Sequence, residues 1–156
     1  MDLQTIITAL AGIAGVGIGA FLTLKRQDQT GMRLDLAALR VTCFELAENK
    51  NYLQTSIKKM VSMPTRTQTW PETRGRLAGS LPPGDFAVVA TAYAKLTALE
   101  LAYGNLLPAT PLTSGMLEGA QDVLKRVDAA AAILLVRGWP VEAEREALTA
   151  QLRDYL

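Results

Sequence analysis

Few side chains in this 156-residue chain could do chemistry. It has no histidine, so a His-ligated metal site, a Ser–His triad and a histidine general base are excluded by inventory. Cys43 is the single cysteine, so no intramolecular disulfide can form. It falls on an apolar seam with no basic neighbour in sequence, which fits an inert core thiol better than a reactive one. The carboxylates do not assemble either. Glu45 and Glu48 stand at i, i+3 on a predicted helix, off its apolar seam, and the Glu-x-x-His pairs of di-metal bundles are impossible here. Glu100 falls near the inner stripe of another predicted helix, where seam position suggests a charge couple with Lys50. An isolated buried charge would be costly. Gly15 to Gly19 resembles a phosphate loop only in composition, since it lacks the Gly-Lys-Ser/Thr ending. With no nucleophile–base pair and no metal set, the expectation is a protein that is not an enzyme and carries no cofactor and no metal.

The cations are unevenly placed. Residues 25–76 hold ten Lys/Arg and five Asp/Glu, whereas residues 77–156 hold six and nine. Lys58, Lys59, Arg66, Arg74 and Arg76 fall in the basic half. They read either as a surface for phosphate, lipid head groups or an acidic partner, or as a solvated basic loop. They are too dilute for the concentrated stripe that nucleic-acid binding needs.

The element that would position all of these is Leu3 to Leu24, which contains no charged residue. At about 1.5 Å per residue its 22 residues reach about 33 Å, enough for the ~30 Å hydrocarbon core of a bilayer. This predicts a transmembrane helix. A cleaved signal peptide needs a positive n-region, and here there is only Asp2. A soluble helix of this length with no polar stripe would be unusual in so small a chain. Lys25, Arg26 and Arg33 follow the span and no cation precedes it, which predicts a cytoplasmic C-terminal domain on the inner membrane. Ala11, Gly15 and Gly19 repeat at i, i+4, i+8 and include a GxxxG pair. Such a face lets helices approach closely in lipid, although Gly and Ala are also simply common in membrane helices.

Residues 27–156 then read as one all-α domain after an anchor of residues 1–26. Met32, Leu36, Leu39, Cys43, Leu46, Lys50, Leu53, Ile57 and Met60 keep heptad spacing, which predicts a helix over 32–62, continuous with the span or bent at Gly31. Lys50 interrupts the seam, either to fix register or by snorkelling to water. Met63-Pro64 closes this helix, and Thr69 with Glu72 forms a capping box for a short helix over 70–80. After Pro82-Pro83, Asp85 is placed to cap a helix over 85–103 with an inner stripe of Phe86, Val89, Tyr93, Leu96 and Tyr103. Thr113 or Ser114 caps a helix over 114–137, widely apolar and so central. Pro140 opens a last helix over 140–156, with Val141, Leu148, Leu152 and Tyr155 inside. The prediction is an N-terminal transmembrane helix followed by an antiparallel bundle of four main helices plus the short one.

The span, the leucine-rich helix and the stretch TWPETRGRLAGSLPPGDFAVVATAYAKLTALE are similar to short single-pass helical proteins of bacteria or phages of unknown function. The shared features are a Trp followed by Arg and Leu, a Leu-Pro break and an aromatic-Ala-Tyr helix. The resemblance implies a bacterial or phage setting and no activity. The functional expectation is a membrane-held interaction or scaffold module, self-associating, with membrane lipid and an unknown protein as partners. The alternative is a phage- or prophage-type membrane factor for lysis or superinfection exclusion.

Overall fold

The computed structural model describes the backbone of residues 3–104, 106 and 109–151, and the side chains of 29–104, 106 and 109–147. The described residues form five helices and no extended strand. These are α1 (Leu3–Lys59), α2 (Trp70–Ser80), α3 (Pro83–Tyr103), α4 (Ser114–Gly138) and α5 (Glu142–Gln151). The chain divides into two compact units, 1–34 and 35–156. In the first, backbone is helical from Leu3 as part of α1, and Gly31 lies within that helix rather than at a break. The predicted span, with Ala11, Gly15 and Gly19, belongs to the part of α1 whose side chains fall outside the described residues.

In the second unit the heptad seam of α1 becomes core. Leu39, Cys43, Leu46 and Leu53 are buried, while Met32 and Met60 at the ends of the pattern are exposed. α1 stops three residues before the predicted end, because Met60 takes a left-handed conformation with φ 55°. Met60 N–H then donates to Ile57 O (3.3 Å) and Val61 N–H to Ser56 O (3.2 Å), the paired bonds of a Schellman motif.

The contacts fix the local directions of the helices. Arg137 reaches Asp85, Lys95 reaches Asp122, and the Tyr103 hydroxyl donates to Met116 O, so α3 and α4 run antiparallel. Arg40 donates to Gly138 O, Cys43 lies against Ala131 O and Lys50 pairs with Asp128, so α4 is also antiparallel to α1. Arg76–Asp35, Thr42–Thr73 and Thr69–Glu45 set α2 against α1 in the same sense. Val89, Ala92, Tyr93 and Leu96 of α3 and Ala120, Val123, Val127, Ala130 and Leu134 of α4 fill the interior, as their spacing predicts. Each such Val or Leu contributes about 1.5–3 kcal/mol on burial.

Two element roles differ from expectation. The fourth wall of the core comes from the short helix α2, through Leu77 and the following Leu81, both buried. The described side chains of α5, Glu142 to Ala147, are exposed or half-buried, and Val141 is exposed; Leu148, Leu152 and Tyr155 lie outside the described side chains. Pro140 does not open α5, which begins at Glu142. Asp85 does not cap α3 either: the helix starts at Pro83 behind Pro82, and the Asp85 carboxylate accepts two hydrogen bonds from Arg137, at 2.8 and 3.1 Å.

Among the described residues one helix, α3, is long and apolar enough to cross a membrane by length and composition. In the second unit its inner face packs on α4 and α2.

Candidate functional site

The most built feature of the second unit is polar, and it lies on α1 next to the apolar seam. Thr42, Glu45, Asn49 and Ser56 recur at helical spacing and are all buried. Glu45 stands off the apolar seam, as the heptad reading has it, yet is buried because it turns toward the segment that leads into α2. Its Oε2 accepts from Thr69 N–H at 2.9 Å, and its Oε1 accepts from the Thr69 hydroxyl and the Tyr93 hydroxyl, each at 2.8 Å. Among the described residues no cation pairs with Glu45. Three donors hold the charge instead, which is what burial of a carboxylate requires.

This bonding undoes the expected capping box. Thr69 precedes α2, but its hydroxyl is given to Glu45 and makes no cap bond to the helix. Glu72 is reached only through its backbone N–H, which donates to Thr69 O. One turn further along α1, Asn49 grips Arg66 at both backbone atoms, its Nδ2 donating to the carbonyl (2.6 Å) and its Oδ1 accepting from the N–H (2.8 Å). Trp70 stacks on Tyr93 with ring centroids 4.5 Å apart and planes at 8°, and its ring also lies 6.0 Å from that of Phe86. Burial pushes the Tyr93 hydroxyl above the usual tyrosine range, with Glu45 adding to the rise and the Thr69 hydrogen bond opposing it. The arrangement holds a neutral phenol against a fixed carboxylate. Together these contacts fasten residues 66–70 to α1 and α3.

The predicted basic residues are not brought together. Arg76 pairs with Asp35 and Arg66 with Glu48. Lys58 and Lys59 lie at the far end of α1, 23 residues beyond Asp35 for Lys58, which is about 35 Å along a helix. Arg74 is exposed on α2. Lys50 pairs with Asp128 at 2.8 Å, not with Glu100, and its ammonium reaches the rim of the core, as the snorkelling reading has it. Glu100 is exposed and accepts from the Thr67 hydroxyl. Burial drives the Cys43 thiol up to about 11, which makes it a poor nucleophile. No group of three or more His, Cys, Asp or Glu side chains able to hold a metal occurs among the described residues.

Two surfaces remain that sequence patterning did not single out. One is a patch where Arg40 lies over the Trp139 ring (5.2 Å) and the half-exposed Phe44 meets the same ring edge-on (5.6 Å), with Val41 exposed one turn away. The other is a cleft between the α1–α2 connection and the end of α3, lined by Ser62, Met63, Thr65, Glu100, Tyr103 and Leu106. The first was hidden because Phe44 and Val41 lie off the heptad positions, the second because it is made by loops.

Compared with known proteins, the chain matches no family model, no curated protein and no solved structure.

Proposed function

We propose that this chain is a membrane-anchored helical interaction module without catalytic activity. The observation that carries the reading is α1. One helix, Leu3–Lys59, holds the uncharged run Leu3–Leu24 at its start and the apolar seam of the bundle further on. The uncharged run has the length of a bilayer span, and the cations Lys25, Arg26 and Arg33 after it favour a cytoplasmic bundle on the inner membrane. Ala11, Gly15 and Gly19 supply a face for association with a second copy in lipid. In the bundle itself the buried Glu45 carboxylate accepts three hydrogen bonds that fasten one segment to another, which fits a structural role in a scaffold.

The test has two stages. The full chain, expressed in bacteria, is expected in the membrane pellet and resistant to alkaline extraction; release into the supernatant would sink the anchor. A reporter fused after Leu156 and active on one side of the membrane is expected to report the cytoplasm. Gly15→Leu combined with Gly19→Leu is then expected to abolish cross-linked dimers in membranes, and unchanged cross-linking removes self-association through this face.

A further inference from the structure

We propose that residues 64–81, the segment after Met63 together with α2, form a latch that opens as one unit while α1, α3 and α4 stay packed. This proposal is independent of the membrane reading. The chain just before the latch is pinned. Ser62 N–H donates to Thr110 O (2.8 Å), Ala109 N–H to Ser62 O (3.2 Å) and Leu112 N–H to Met60 O (2.9 Å), with Val61 and Pro111 facing each other as an isolated bridge. The latch itself is tied differently. Among the described residues no backbone hydrogen bond joins 64–81 to another element. Its bonds close on the segment, from Glu72 and Thr73 N–H to Thr69 O and from Leu81 N–H to Leu77 O. Side chains make the links to the rest: Asn49 to the Arg66 backbone, Glu45 to Thr69, Thr42 to Thr73 (3.1 Å) and Glu100 to Thr67.

Little apolar surface holds the latch down. α2 has one buried residue, Leu77, against six on α3 and seven on α4, and only Leu81 and the half-buried Trp70 add to it. The stripe it covers on α1 is polar, made of Thr42, Glu45 and Asn49. Water satisfies these groups once the latch lifts, so their hydrogen bonds are exchanged rather than forfeited. Much of the core, including Leu46, Leu96, Val127 and Leu134, lies on α1, α3 and α4. Of the elements that line the core, the one with least apolar burial opens first.

The helix is also weak in itself, and packing does not require it to be. Gly75 and Gly79 both fall within its 11 residues. Each lowers helix formation roughly fivefold relative to alanine. Neither has a positive φ, and a Cβ at either position would meet nothing within 4 Å. A helix this short is marginal in water, and the hydroxyl that would cap it is given to Glu45. Lifted off α1, α2 therefore loses its helix, and docking and helix formation become one transition. Opening uncovers the Tyr93 ring, on which Trp70 stacks, and the Glu45 carboxylate.

The test is amide hydrogen exchange of the full chain in detergent micelles, followed by mass spectrometry across a urea series. Residues 70–81 are expected to exchange through an opening at least a hundredfold more frequent than the one that exposes 89–96 and 123–134, with a urea slope less than half as steep. One common slope and one common protection for all three segments would overturn the proposal. Val127→Ala removes buried surface from α4 that the opening leaves in place. It is expected to speed exchange at 89–96 and 123–134 at least tenfold and at 70–81 less than twofold. Equal acceleration everywhere would mean that α2 opens only with the whole bundle, which also overturns the proposal. Gly75→Ala combined with Gly79→Ala is expected to slow exchange at 70–81 at least tenfold after correction for intrinsic rates. An unchanged rate would show that helix formation does not hold the latch shut, against the coupling proposed.

Discussion

Three residues carry more of this fold than their types suggest. Met60 is a non-glycine residue in the left-handed region, where an L side chain costs about 1–2 kcal/mol. It is also exposed, so little packing would be lost with its side chain. Met60→Gly is therefore expected to stabilise the protein by about 0.5–1 kcal/mol, after the extra entropy of glycine in the unfolded chain is set against the relief. Thermal denaturation followed by circular dichroism reads this directly; a lower midpoint contradicts it. Glu45 is the opposite case. Glu45→Gln puts an amide N–H where an oxygen now accepts, against Thr69 or Tyr93. The expected cost is about 2 kcal/mol, by chemical denaturation. Cys43 sets an alkaline limit. Its thiol titrates near 11 in the folded protein against 9.0 ordinarily, so between those values the unfolded chain has lost a proton the folded one keeps. Stability is thus fully present below about pH 9 and declines as pH rises toward 11, by at most about 2–3 kcal/mol. Cys43→Ala should flatten that decline, and in the wild type a thiol reagent should react only as fast as the protein opens.

At the scale of elements, α2 is worth more than its 11 residues imply. Leu77 is completely buried, and Leu77→Ala is expected to cost about 3 kcal/mol. Lys50→Leu, by contrast, is expected to change stability by less than about 1 kcal/mol. The Lys50–Asp128 pair it removes has a half-exposed carboxylate, which screens the pair, and leucine keeps the buried stem of Lys50 apolar. A loss on the scale of Leu77→Ala would show Lys50 to be a register device instead. The helices themselves were legible. Periodicity located α1 within the second unit, α3 and α4 with their inner faces, because a wide apolar stripe has only one way to be buried. Caps were less legible. Thr69 and Asp85 both look like capping residues locally, yet each is claimed by a partner far along the chain, Glu45 and Arg137. Capping rules weigh neighbours only and cannot see such competition.

For the whole molecule, the all-helical class followed from composition and from the lack of period-2 runs. What the sequence obscured was which residues meet. Five cations close in sequence read as one basic surface, but Lys58 and Lys59 end α1, Arg66 lies in the connection, Arg74 and Arg76 lie on α2, and Arg76 and Arg66 pair with Asp35 and Glu48. The Glu45 network was hidden because a glutamate beside an apolar seam looks solvated until a second segment lays donors over it. The cleft was hidden because its walls come from the α1–α2 connection and from the end of α3 with the α3–α4 connection after it, about 40 residues apart in sequence.

Those two connections are also stitched to each other, at Val61 and Pro111, through residues on either side of the bridge. Their lengths are therefore not independent variables. A residue inserted into one shifts it past the other and breaks hydrogen bonds in both, whereas the Ser80–Pro83 joint between α2 and α3 belongs to no such pairing among the described residues. Natural or engineered insertions should accumulate at that joint. Where a change does occur at 60–65, a compensating change at 109–112 should travel with it.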